Sequence, residues 1–244
     1  MTRPYSGGMY DLSFNPVSCM QNLLKSAVLC AALSLPQGVG ADAPRVLVIG
    51  DSLLASHKVS GRSVGHYLEK YLGTDVRDRS VLGARMIYKL PISGAIGLSI
   101  PAQYRDEHWD VVIVNGGGND LWMGCGCRRC ERKMNRLISE SGTRGEVPKL
   151  LARIHKTGAR VIYVGYLRSP GIVTPIESCK DEGDAFEARI ATLADKVPGI
   201  DYLSLQDLVP HGDHSWLALD GVHPSVKASR EIARRLAVEI VQGE

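Results

Sequence analysis

From Arg45 onward, short apolar runs rich in β-branched residues alternate with longer stretches in which apolar residues recur every three or four positions. The short runs predict strands over 46–49, 75–81, 111–115, 161–166 and 202–205. The longer stretches predict helices over 63–71, 147–157, 184–196 and 225–241. In the last of these, Val226, Ile232, Leu236 and Ile240 fall on one face, with Lys227, Arg230 and Arg234 between them. Strand–helix alternation of this kind predicts an α/β domain with a mostly parallel five-stranded sheet covered on both faces. Two stretches break the pattern. Residues 124–144 are polar and rich in cysteine, and 168–180 contain Ser-Pro-Gly and Thr-Pro. Both fall where strand-to-helix connections belong. They read as insertions that wall a pocket at the carboxyl edge of the sheet, within one domain spanning 42–244.

The length permits that single domain, since 244 residues bury a full core without staples. Lys and Arg total 29 against 26 for Asp and Glu, and no long basic run is present, so the chain lacks the footprint of a nucleic-acid binder. The scarcity of aromatic residues also argues against a base-stacking platform.

The first 41 residues read differently. Lys25 precedes the apolar run 27–35, and Pro36, Gly38 and the small residues Val39-Gly-Ala41 follow it. That is the charged, apolar, small-residue order of a secretory signal, with Met20 as an alternative start. The run is too short to span a bilayer. Leu29 is bulky where a lipid anchor at Cys30 would need a small residue. The expectation is a leader over 1–41, no membrane span in the mature chain and a periplasmic or secreted location.

Removal of that leader leaves Cys125, Cys127, Cys130 and Cys179. An even number in an exported protein points to two disulfides, of which Cys125 with Cys127 is sterically the worst. Cys179 then crosses to the 125–130 loop. The competing reading is a four-cysteine zinc site, for which C-x-C-x2-C plus one distant cysteine is a loose spacing.

Four separated segments carry candidate chemistry: Gly50-Asp-Ser-Leu53 after the first strand, Ser80-Val-Leu-Gly-Ala84 after the second, Val114-Asn-Gly-Gly-Gly-Asn-Asp120 after the third, and Asp220-Gly-Val-His223 before the last helix. A serine hydroxyl becomes a nucleophile when an imidazole takes its proton, and a carboxylate fixes the imidazole tautomer. Taken together, the segments resemble the SGNH hydrolases, the GDSL-type esterases and lipases, from about Arg45 to the C-terminus. The resemblance implies a flavodoxin-like three-layer α/β/α fold. It implies Ser52 as nucleophile, His223 as general base and then acid, and Asp220 as its orienter. It also implies an oxyanion hole made by the N–H groups of Ser52 and Gly83 and the side-chain amide of Asn119. Gly117-Gly-Asn-Asp120 fits the family's G-x-N-D. The second segment departs from the pattern, with Arg77-Asp-Arg79 where an Asn often stands.

Other residues have local readings. Asp51 and Asp120 brace loops through backbone hydrogen bonds. His57 is a rival base that would have to fold back from its own helix. His211, Asp213 and His214 lack the further ligands a metal would need, so neither metal nor cofactor is expected. Trp122 and Met123 are candidates for the substrate pocket, and Trp216 for core or pocket rim. The expected activity is hydrolysis of a carboxylic ester, on a small molecule, lipid or glycan, through an acyl-Ser52 intermediate. Small acyl groups are favoured because no long apolar lid is present. An O-acyltransferase using the same residues and a non-catalytic binding module are the alternatives.

Overall fold

The computed structural model describes residues 43–88, 94–171 and 174–243. The leader 1–41 lies outside them. Five strands form one sheet: β1 (Val46–Ile49), β2 (Val76–Asp78), β3 (Val111–Val114), β4 (Arg160–Val164) and β5 (Ile200–Leu203). Their order is β2-β1-β3-β4-β5, and every pair is parallel. This is the flavodoxin-like order. The chain leaves β1 toward one edge, returns to β3 on its other side, and so opens a crevice at the carboxyl ends of β1 and β3.

Apolar residues of both parities bury the central strands on both faces. Leu47, Ile49, Val112, Val114, Val161 and Tyr163 face one layer, which contains α5 (Glu131–Leu137), α6 (Glu146–His155) and α7 (Lys180–Ala194). Val46, Val48, Ile113, Ile162 and Val164 face the other, formed by α2 (Val64–Leu72) and α8 (Val226–Gln242). Each large side chain buried in this way contributes about 1.5–3 kcal/mol. Helix α2 starts where the Ser63 hydroxyl accepts the His66 N–H, and α8 where Ser225 accepts the Ala228 N–H. Three shorter helices sit at the crevice: α1 (Ser52–Ala55), α3 (Ile100–Gln103) and α4 (Gly118–Cys125). No helix among the described residues is long and apolar enough to cross a membrane.

The differences from the sequence reading have local causes. Strand β2 stops at Asp78, although the Arg79 and Val81 N–H groups still donate to Val48 and Gly50 of the β1 chain. Strand β5 lies two residues earlier than predicted. It is an edge strand, so it tolerates polar Asp201, whose carboxylate takes the Arg160 guanidinium at 2.7 Å. Helix α7 begins at Lys180, four residues before the predicted start. Residues 124–144 are not a plain loop. Cys130, Met134 and Leu137 fall at i, i+4 and i+7 and are buried, which makes α5 an amphipathic helix disguised by the charges between them.

The cysteines pair as Cys125–Cys130 and Cys127–Cys179. This removes the ligands of the alternative zinc site. The second bond ties the α4–α5 connection to the start of α7 across 52 residues of chain. A loop of that length restricts the unfolded chain by about 4 kcal/mol in the entropic account. The double substitution Cys127→Ser/Cys179→Ser is therefore expected to lose about 2–5 kcal/mol of unfolding free energy in a urea titration. A variant as stable as the parent under oxidising conditions would show that this crosslink does not restrain the fold.

Candidate active site

The crevice is built from the turns that follow β1, β3 and β4. At the end of β1, both backbone groups of Gly50 bond the buried Gln103 side chain, with N–H to Oε1 at 2.7 Å and Nε2 to the carbonyl at 2.9 Å. The next residue, Asp51, caps α1: its Oδ1 accepts the Leu53 N–H at 3.0 Å. Its Oδ2 accepts the Tyr166 hydroxyl at 2.6 Å. Burial drives the Asp51 carboxyl up to about 6, and the Tyr166 and Leu53 donors limit that rise. Ser52 follows as the first residue of α1, partly exposed at the crevice.

Tyr166 lies just past β4. Its hydroxyl donates to Asp51 and also accepts the Gly118 N–H at 2.9 Å, at the start of α4. One phenol therefore joins the turns that follow β1 and β3. Gly117 has φ +101, and a Cβ there would lie 2.5 Å from the Phe186 ring, so only glycine fits. The Asn119 amide donates to the Ala84 carbonyl at 3.0 Å, which draws the third segment against the second. Its other N–H is available to a ligand. Asp120 accepts the N–H groups of Met86 at 2.8 Å and Ile87 at 2.9 Å. Burial raises its pKa against those two donors. Both Asp51 and Asp120 thus brace loops, as their positions suggested. Gly83 has φ +76 and open space where a Cβ would stand. Its glycine is required by backbone conformation rather than by crowding.

The fourth segment forms its own rigid turn. Asp220 Oδ1 accepts the N–H groups of Val222 and His223 at 2.9 and 3.0 Å. Its Oδ2 is 2.6 Å from His223 Nδ1. Partial burial works against the Asp220 charge, but the His223 ring and these backbone donors prevail and hold its pKa at about 2. A carboxylate can only accept, so Nδ1 carries a proton, and in the neutral ring Nε2 is the basic nitrogen. Ala218 N–H donates to the His223 carbonyl at 2.8 Å. His57 Nε2–H reaches the Pro224 carbonyl at 2.9 Å and so ties this turn to the chain after α1.

Ser52, Asn119 and His223 line one cavity of about 200 Å³. Trp122 also lines it, whereas Met123 is exposed, with its sulfur 3.4 Å from the Arg85 guanidinium. Asp220 stands behind His223, and Gly83 one residue from the Asn119 contact. Trp216 is partly buried and gives its indole N–H to Asp213 at 3.0 Å. Asp213 also takes the Ser215 N–H and Lys227. His211 and His214 are exposed. The sequence reading missed Tyr166 and Gln103. Tyr166 carried one usable signal, a polar group at the carboxyl end of a predicted strand.

Comparison with solved structures gives several relatives of the same fold. A protein from Slackia heliotrinireducens, described as an SGNH hydrolase, is 23% identical with a TM-score of 0.56, over 81% of this chain and 98% of its own. An acetyl xylan esterase, Est2A, from the rumen bacterium Butyrivibrio proteoclasticus is 14% identical with a TM-score of 0.56, over 82% of this chain and 64% of its own. The lipase Lip_vut3 from a goat rumen metagenome is 16% identical with a TM-score of 0.52, over 80% and 96%. Comparison with curated protein sequences gives no significant match. The profile of the GDSL-like lipase/acylhydrolase family matches residues 48–230. The chain therefore belongs to that family, the SGNH hydrolases, and is a hydrolase acting on ester bonds.

Proposed function

We propose that the protein cleaves carboxylic esters through an acyl-enzyme on Ser52. The observation that carries this reading is the His223–Asp220 pair opening onto the cavity that Ser52 also lines. His223 Nε2 takes the Ser52 hydroxyl proton as Oγ attacks the ester carbonyl carbon. The carbonyl π electrons move onto oxygen, and the N–H groups of Ser52 and Gly83 and the Asn119 amide hold the oxyanion. Collapse of the intermediate breaks the ester C–O bond, and the imidazolium returns its proton to the leaving alkoxide. Water, deprotonated by His223, then attacks the acyl carbon; the C–Oγ bond breaks, Ser52 Oγ takes the proton back from the imidazolium, and the acid is released. Asp220, ionised across the whole neutral range, stabilises the imidazolium at each stage.

Tyr166 acts as a positioning residue in this scheme. It fixes the spacing between the Ser52 turn and the Asn119 turn, so nucleophile and oxyanion donor are set before substrate arrives. The two disulfides support a periplasmic or secreted enzyme, with residues 42–244 as the hydrolase domain behind a leader over 1–41.

Three outcomes are expected. Ser52→Ala abolishes turnover of p-nitrophenyl acetate, and full retained activity would refute the nucleophile. Asn119→Ala lowers kcat by about 100-fold or more, as loss of one oxyanion donor does elsewhere; an unchanged kcat would remove it from the hole. Tyr166→Phe lowers stability, and by more at pH 8 than at pH 5. The sign follows from Asp51. Its folded pKa, about 6, lies above its ordinary value, so its contribution is fully present in acid and is lost as pH rises through about 6. Without the phenol the carboxylate is harder still to ionise, and the deficit widens at high pH. Unfolding midpoints across this range test it, and a pH-independent cost would show that Asp51 is not the partner that matters.

A further inference from the structure

We infer that the cavity beside Ser52 receives an apolar group of about six carbons, an alkyl chain or a phenyl ring, as one side of the ester. This rests on the reading of Ser52 as nucleophile. The cavity wall is mainly apolar, with Leu53, Leu121, Trp122, Leu167, Ile176 and Val222 in it and the disulfide-bonded Cys179 beside them. Besides Asp51, whose carboxylate takes the Leu53 N–H and the Tyr166 hydroxyl, three charged residues line it, and two of them are engaged elsewhere. Arg168 is held by Glu187 and Asp184, and Lys180 by Asp184. Glu177, the third, is exposed. The surface beside Ser52 therefore favours hydrocarbon.

Size decides the class. An apolar cavity of about 150 Å³ holds benzene. The volume of about 200 Å³ here admits a phenyl ring or a six-carbon chain. An acetyl methyl would leave most of that apolar wall against water. The lack of a long lid points to small acyl groups, but the wall does not need a lid to stay open. The Cys127–Cys179 bond anchors one part of it. The Arg168–Glu187 pair, with Glu187 also accepting the Tyr166 N–H at 2.7 Å, anchors another. A wall braced in this way does not collapse onto a small substrate, so each methylene added to the substrate is buried. Burial of one methylene corresponds to about fourfold in kcat/KM.

The test is a chain-length series in two arms, followed by acid release. One arm uses ethyl esters from acetate to decanoate, and the other uses acetate esters of alcohols from methyl to octyl, with phenyl acetate. The expected result is a rise of about fourfold per methylene, levelling near six carbons, in at least one arm. The arm that rises identifies whether the acyl or the alcohol side fills the cavity. Ile176→Phe should lower the six-carbon to two-carbon preference in that arm by tenfold or more. Trp122→Ala should move the maximum to longer chains. A maximum at the smallest member of both arms overturns the inference, as does a six-carbon maximum that neither variant shifts. Ser52→Ala separates the two readings. If it is inactive on every ester while the parent prefers acetate, the nucleophile stands and the cavity assignment fails. If it keeps its activity, the nucleophile assignment fails first.

Discussion

A buried carboxylate at the end of β1 has to be satisfied, and the arrangement around the crevice follows from how this is done. Asp51 is almost wholly inaccessible, and burial outweighs its hydrogen-bond donors to lift it to about 6. The Leu53 N–H and the Tyr166 hydroxyl supply its donors. Removing one partner of such a buried group costs about 1–3 kcal/mol, more when it is charged. Tyr166 then uses its own acceptor capacity on the Gly118 N–H. The ends of β1, β3 and β4 are thereby tied at one phenol, and the side chains that follow β1 and β3 are Ser52 and Asn119.

Other contacts keep that phenol in place. Glu187, buried beneath the α7 layer, accepts the Tyr166 N–H, the Tyr202 hydroxyl and two N–H groups of Arg168. Tyr163 donates to the Gly116 carbonyl just ahead of α4. Gln103 bonds both backbone groups of the buried Gly50. A buried polar network of this kind rigidifies when every member is paired. In the proposed mechanism that rigidity matters, because oxyanion donors are effective only when they are positioned in advance.

The proposed base, His223, comes from a separate part of the chain. Its turn is organised locally by Asp220, and His57 joins it to the region after α1. His57 adopts φ +64, an uncommon conformation for a residue with a Cβ. A residue held in this way indicates a surrounding structure that over-determines it. The hydrogen bond to Pro224 supplies one such constraint.

Much of this was legible in the chain itself. Buried runs such as 46–49 and 111–114 are hydrophobic on both faces and short, so they predict central parallel strands without tertiary information. Ser52 and the Asp220–His223 turn are marked by motifs at the ends of elements, because bonds within a few residues shape them, and Asn119 is marked by its G-x-N-D run. Helix α5 was hidden because charged residues interrupt its apolar face. Tyr166 read as the end of a strand, and Gln103 lies outside every predicted element and motif. Their partners are 115 and 53 positions away, and the His57–Pro224 contact spans 167. Which cysteine of the 125–130 loop takes Cys179, and the apolar wall beside Ser52, belong to the same class. The sequence by itself determined the elements and marked the candidate reacting groups, since these depend on periodicity and local turns. Only the tertiary structure decided which buried polar groups satisfy one another and how much space is left beside the nucleophile, because both depend on side chains brought together by the packing of the layers.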